Sequence, residues 1–228
     1  GADIVYINLG GQEVYRIKNK NIYKTYIQTS RSYTSPSKGN LGWKEVPMPK
    51  IIQTRPSSNE DVSSEKYQKN DYLIAARTGY FNQAKNHGIL KLYSEGGHEI
   101  SSEEIRQIPD LDPTLVKAIC IQESHAALIS SDIMTSNNPG DWGDGKLKSA
   151  YGMKKKEKMS VTNSLYYGIR ILATKGFKGG VKYDKKTGET SYEFKGWGNA
   201  TNNFNGGGVR NYQNDVETMV RESKPRKR

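Results

Sequence analysis

Apolar and polar residues alternate along the first thirty positions, through Ile-Val-Tyr-Ile at 4–7, Val-Tyr-Arg-Ile at 14–17 and Lys-Thr-Tyr-Ile at 24–27. A period of about two is the signature of a half-buried strand. Gly10-Gly11 falls between two such runs, which predicts a β-hairpin with a third strand near residues 22–28. From Ser30 to about Ser64 the chain turns rich in Ser, Pro, Asn and Lys, the chemistry of turns and linkers. A domain boundary is therefore expected within 55–68.

Beyond it the period becomes helical. One helix is expected over 72–88, ending at Gly88, and a second over 101–108, opened by serines and glutamates. A third spans 112–124, with Asp112 as N-cap and Pro113 at the first helical position. Two more fit 162–176 and 209–222, and residues 179–196 read as a hairpin or long loop turning at 186–188. No repeat of twenty to fifty residues is visible. The expected class is α+β: a β-rich N-terminal module and linker over 1–62, a mostly α-helical domain over 63–222, and a solvated basic tail over 223–228.

Composition narrows the classes. The 228 residues carry 35 basic and 24 acidic side chains, net +11, which favours anionic partners. Mean hydropathy is −0.82 and no apolar run approaches eighteen residues, so no membrane span is expected. A single cysteine excludes an internal disulfide and a thiolate metal cluster. The opening Gly-Ala-Asp-Ile-Val-Tyr has neither a charged n-region nor an apolar h-region, so no signal peptide is read there.

The candidate chemistry lies on the helix over 112–124. Val116, Cys120 and Glu123 follow one another at i, i+4 and i+7, with Ile119 beside them, so a carboxylate ends an apolar stripe. Desolvation and the helix C-terminus would both raise its pKa, as a general acid near neutral pH requires. The plainer reading is a glutamate tipping into solvent where the stripe ends.

Five segments in order shift that balance: Leu-Asp-Pro-Thr-Leu-Val-Lys-Ala-Ile-Cys-Ile-Gln-Glu-Ser at 111–124, Ser-Asp-Ile-Met-Thr-Ser-Asn-Asn at 131–138, Ala-Tyr-Gly-Met at 150–153, the helix at 163–172, and Trp-Gly-Asn-Ala-Thr-Asn-Asn-Phe-Asn-Gly-Gly-Gly at 197–208. Together they resemble the lysozyme-like superfamily of soluble lytic transglycosylases and phage- and toxin-type muramidases, over about residues 105–220. The resemblance implies a lysozyme-like fold with Glu123 as the essential acid and Ser124 as its supporting neighbour. It implies that Ser124, Met134 and Thr135 take part in substrate binding, Met134 matching the family's methionine and Thr135 standing where its glutamine does. It also implies that Phe204, Asn205 and Gly206 form the turn closing the cleft, Phe204 replacing a tyrosine. Tyr151 and Tyr212 are candidates for the missing phenol, Tyr151 as a substrate-binding residue.

The implied reaction is cleavage of the β-1,4 bond between N-acetylmuramic acid and N-acetylglucosamine. A second carboxylate would make the enzyme a hydrolase, and Asp132, Asp141 and Asp144 are the candidates; for each of them turn chemistry is the stronger reading. Without one, the substrate's own 6-hydroxyl attacks. Both routes stay open, as does a lysozyme-fold glycan binder that has lost turnover. Trp142, Trp197, Tyr166 and Tyr167 could stack on sugars or simply pack in the core.

No cofactor and no metal is implied, since His87, His98 and His125 show no ligand spacing. The expected partner is the peptidoglycan glycan strand, with an immunity protein or secretion apparatus for an antibacterial effector or phage lytic enzyme. Nucleic acid ranks lowest, because no motif for it is present. Such an activity belongs in a secreted or periplasmic protein.

Overall fold

The computed structural model describes residues 4–8, 14–18, 24–27, 44–137 and 142–226. Strands β1 (Ile4–Asn8), β2 (Val14–Lys18), β3 (Lys24–Ile27) and β4 (Lys44–Val46) form an antiparallel sheet in chain order. The register sets Ile4 against Lys18, Tyr15 against Ile27 and Thr25 against Val46. The strands agree with the alternating pattern, while the Gly10-Gly11 turn lies outside the described residues. β4 departs from the expectation of a linker; three residues are too few to show a period. It fastens the sheet to the helices, since Val46 is buried against Gly79, where any Cβ would collide with it.

Among the described residues, seven α-helices follow. α1 (Asp71–Asn86), α3 (Pro113–Ser124) and α5 (Val161–Lys175) are the long ones, with α2 (Ser102–Arg106), α4 (Gly145–Ala150), α6 (Trp197–Phe204) and α7 (Tyr212–Arg221) around them. Their starts are chemically marked. Asp112 Oδ1 accepts from Thr114 N at 2.8 Å, Ser101 Oγ from Glu104 N at 3.3 Å, and Ser160 Oγ from Asn163 N at 3.1 Å. Two short hairpins complete the chain: β5 (Thr54–Arg55) with β6 (Glu60–Asp61), and β7 (Val181–Tyr183) with β8 (Thr190–Tyr192). No helix among the described residues is long and apolar enough to cross a membrane.

α3 runs through the middle, packed on α1 and α7, while α5 packs on α1 and α6. The core does not stop at the boundary drawn after residue 62. Ile52 and Val62 are wholly buried in it, Lys50 N donates to Thr114 Oγ1 at 2.9 Å, and Arg55 Nη2 donates to Gln122 O at 3.3 Å. Nor are the first residues of the tail a frayed end. Ile51 and Lys224 exchange backbone hydrogen bonds of 2.8 and 2.9 Å, and Arg226 Nη1 reaches the Asp71 carboxylate.

That carboxylate belongs to a buried ion pair. Lys117 Nζ on α3 lies 2.8 Å from Asp71 Oδ2 on α1, with neither side chain more than 1% exposed, and it also donates to Gln68 Oε1. Burial pushes the Asp71 carboxyl up and the Lys117 ammonium down, and their mutual attraction opposes both.

Candidate active site

Of the twelve residues of α3, Glu123 alone is not buried. Val116, Ile119, Cys120 and Ile121 have no exposed surface, so the helix is enclosed by the core and by the Lys117–Asp71 pair, and it opens outward at one carboxyl. Burial, and then the negative charge of Asp132, pushes the Glu123 carboxyl up to about 7. A group protonated near neutral pH and reachable from solvent is what proton donation to a leaving group needs. Cys120 is sealed in the core, where burial pushes its thiol well up and leaves no thiolate to react.

The chain leaves α3 through three consecutive left-handed residues, His125, Ala126 and Ala127, with φ of 52°, 56° and 72°. Each costs roughly 1–2 kcal/mol for an L-residue. Local hydrogen bonds hold the turn. His125 N donates to Ile121 O at 3.0 Å, Ala126 N to Cys120 O at 3.1 Å, and Ala127 N to Ser124 Oγ at 2.9 Å. His125 Nδ1 stands 3.0 Å from Glu60 Oε2.

Ser124 is therefore not a substrate contact. It is 1% exposed, and its hydroxyl donates to Ile133 O at 2.8 Å, clamping the end of α3 to the segment that follows. That segment carries Asp132. Its Oδ1 accepts from Ser136 N at 2.8 Å, Ser136 Oγ at 2.9 Å and Ser164 Oγ at 2.6 Å, and its Oδ2 from Asn137 N at 2.9 Å. Four donors make Asp132 the centre of a turn, with its charge felt at Glu123. The other candidates diverge. Asp144 sits 2.9 Å from Lys175 Nζ, which Glu95 shares at 3.1 Å, in a surface ion pair. Asp141 lies outside the described residues.

Met134 is fully buried, so it lines no cleft; it packs on α5 where Gly168 lets the two approach. A Cβ at Gly168 would lie 2.6 Å from Met134 Sδ. Gly168→Ala should cost about 1–3 kcal/mol in a urea titration, because it displaces the segment that carries Asp132. Thr135 is exposed, with φ of 51°, beside Asp132.

The two tyrosines separate cleanly. Tyr151 is a core residue, accepting from Tyr93 N at 3.2 Å and paired with Thr174 Oγ1 at 3.0 Å, and burial pushes its phenol up to about 12. It does not serve the site. Tyr212, at the start of α7, is 3% exposed with a hydroxyl that has no hydrogen-bond partner among the described residues. Burial first and the Glu123 charge second push its ionisation upward, which places the phenol within the field of the acid.

Residues 197–204, for which no element was expected, form α6, so the expected closing turn begins only after Phe204. Phe204 is the last residue of α6, half-buried against the core. Asn205 then closes the turn when its carboxamide oxygen faces the amides of Gly208 at 3.2 Å and Val209 at 2.7 Å, leaving Gly206 exposed.

The aromatic residues are mostly occupied. Trp197 donates to Pro109 O at 2.9 Å and stands edge-on to Phe81 and Phe194. Arg170 stacks on Tyr166 at 3.7 Å, with Arg77 at 5.2 Å and Tyr167 edge-on at 5.1 Å. Trp142 is half-buried with Lys148 Nζ 5.4 Å from its ring.

No protein-family model, curated protein or solved structure matches the chain. The site rests on its own geometry. A cavity of about 510 Å³ opens beside Asp132, Thr135 and Asn137 and reaches the loop carrying Lys156 and Lys158. Among the described residues no three His, Cys, Asp or Glu side chains gather as metal ligands. Of the supporting serines, Ser136 meets Asp132 within its own turn, whereas Ser164 carries no signal in the sequence, since it meets Asp132 only through the packing of α5.

Proposed function

We propose that the protein is a peptidoglycan-cleaving glycosidase of lysozyme-like fold acting on the bond between N-acetylmuramic acid and N-acetylglucosamine. The observation that carries this is Glu123: the single outlet of a buried helix, with its carboxyl held at about 7. The ordered resemblance over residues 105–220 supplies the substrate class.

Protonated Glu123 donates to the glycosidic oxygen as the C1–O bond breaks and positive charge develops at C1. The next step depends on what attacks C1. Asp132 already accepts four hydrogen bonds and works better as a fixed charge than as a base for water. The 6-hydroxyl of the same sugar then attacks C1 and returns its proton to the Glu123 carboxylate, giving a 1,6-anhydro product and a regenerated acid.

Digestion of purified sacculi followed by mass spectrometry of the soluble muropeptides tests the reading. Anhydro ends are expected. Reducing ends would assign hydrolysis instead, and binding to sacculi with nothing released would reduce the protein to a glycan binder. The role of Asp132 has its own readout. Asp132→Asn removes the charge that helps raise Glu123, so the acid should ionise earlier and the alkaline limb of the kcat/KM profile should move to lower pH. An unmoved limb would remove Asp132 from the electrostatics of the site.

A further inference from the structure

The hairpin of β5 and β6 lies outside the segments that carry the resemblance, yet it grips α3 on both sides of Glu123. One residue before the acid, Gln122 O accepts from Arg55 Nη2 at 3.3 Å. Two residues after it, His125 Nδ1 stands 3.0 Å from Glu60 Oε2. The last carbonyls of a helix have no partner within it, and a guanidinium suits both their geometry and the negative end of the dipole. The hairpin is itself braced. Arg55 stands opposite Glu60 in the strand register, Ser58 N donates to Arg55 O at 3.2 Å, and Val62 N donates to Gln53 O at 3.0 Å.

Glu60 is also held from behind. Tyr67, buried in the core, donates its hydroxyl to Glu60 Oε1, so each carboxylate oxygen has its own partner. That hydroxyl holds the Glu60 carboxyl below its ordinary range, which keeps it an anion wherever Glu123 titrates. What the chain from Tyr67 through Glu60 fixes is the backbone of His125. With φ of 52° it opens the run of three left-handed residues, and neither histidine nor alanine favours that region over the right-handed one. Asn70 adds one tie, its Nδ2 donating to Ala126 O at 3.4 Å. A strained turn persists only where its surroundings over-determine it. Release at His125 would unwind the last turn of α3 and tip Glu123 into water.

We propose that the β5–β6 hairpin is the positioning device of the acid, with Arg55 and Glu60 holding the end of α3 so that Glu123 stays half-buried. Both are positioning residues, acting through the backbone on either side of the acid. The role of the acid rests on the glycosidase reading above; its confinement by the hairpin does not.

Carbon-13 NMR of the glutamate carboxyl groups in the full-length protein reads the acid directly, with its signal assigned by its loss in Glu123→Gln. In wild type the midpoint is expected at about 7. Glu60→Gln and Arg55→Met should each lower it to about 6 or below, as the carboxyl gains water. The two side chains carry opposite charges, so an effect of charge alone would move the midpoint in opposite directions, whereas loosening moves it the same way. The other groups coupled to Glu123, namely Asp132, Cys120 and Tyr212, are untouched by either change. Asp61→Asn, on the same hairpin but with its carboxylate turned to Ser63, should leave the midpoint at about 7. Adding His125→Asn to Glu60→Gln should bring the midpoint back toward wild type, since asparagine accepts the left-handed conformation more readily. On sacculi, kcat should fall about tenfold in both single variants with KM little changed, and should recover with the midpoint in the double one.

Arg55 and Glu60 are only half-buried, so their variants are expected to fold. Opposite shifts in the two, or a midpoint that neither one moves, overturn the proposal. A wild-type midpoint near 4.5, the ordinary glutamate value, overturns it as well, as does a Glu60→Gln shift that His125→Asn leaves unrepaired. If the midpoints move as expected while wild-type protein releases nothing from sacculi, the hairpin still confines a buried acid, and the glycosidase reading alone falls.

Discussion

Glu123→Gln should abolish most turnover on peptidoglycan, lowering kcat by a hundredfold to ten-thousandfold, the usual contribution of a positioned general acid. Gln keeps the shape and the hydrogen-bonding reach but has no proton to give. The wild-type pH profile should show the same group. With the carboxyl at about 7, the protonated fraction and the rate fall as pH rises through that value.

The same substitution should stabilise the fold, and only at the right pH. Below about 4.5 the carboxyl is protonated in folded and unfolded chains alike, so it contributes nothing to pH dependence. Between there and about 7 the unfolded chain releases its proton while the folded chain retains it, so wild-type stability declines; above about 7 the loss is complete. At about 1.4 kcal/mol per pKa unit the full difference is up to about 3 kcal/mol. Urea titrations should therefore find Glu123→Gln more stable than wild type at pH 8 and equal to it at pH 4. Equal stability at pH 8 would mean that Glu123 is solvated and ordinary.

The second large effect lies away from the site. Asp71→Ala should destabilise the protein by about 3–5 kcal/mol, because it leaves Lys117 buried without its anion. Lys117 cannot swing to water; its side chain is 0% exposed in the centre of α3. The argument makes a sharper claim through the double variant. Asp71→Leu with Lys117→Met removes both charges together, and it should recover most of the loss, since two apolar side chains need no partner. A denaturant-based double-mutant cycle measures this. If the double variant is as unstable as the sum of the single ones, the pair is not the cause. Arg226 gives a third corner: it reaches the same carboxylate, so removing the tail should cost something as well.

Much of the fold was legible because the relevant physics is local. The period-two runs predicted β1, β2 and β3, and the serines at 101–102 and the cap at Asp112 marked helix starts that the structure places where they were expected. α6 was missed because Gly, Asn and Thr dominate 196–203, and its buried face comes from α5 and α7 rather than from its own propensities. β4 was missed because a three-residue strand is stabilised by its neighbours and has no period of its own.

Glu123 was visible in the same local way, as a carboxylate closing an apolar stripe. Whether it tips into water or stays half-buried is decided by α1 and α7 packing around α3, contacts made by residues fifty and ninety positions away. The second carboxylates could not be sorted by spacing either. Asp132, read more readily as a capped turn, is claimed by Ser164 from another helix, and Asp144 by Lys175. The sequence by itself determined where the three alternating strands and the long helices lie and that one acid ends an apolar stripe, since these follow from neighbours along the chain. Only the tertiary structure decided which side chains that acid meets, and that the basic tail docks on a buried ion pair, since desolvation and charge pairing act through space between distant segments.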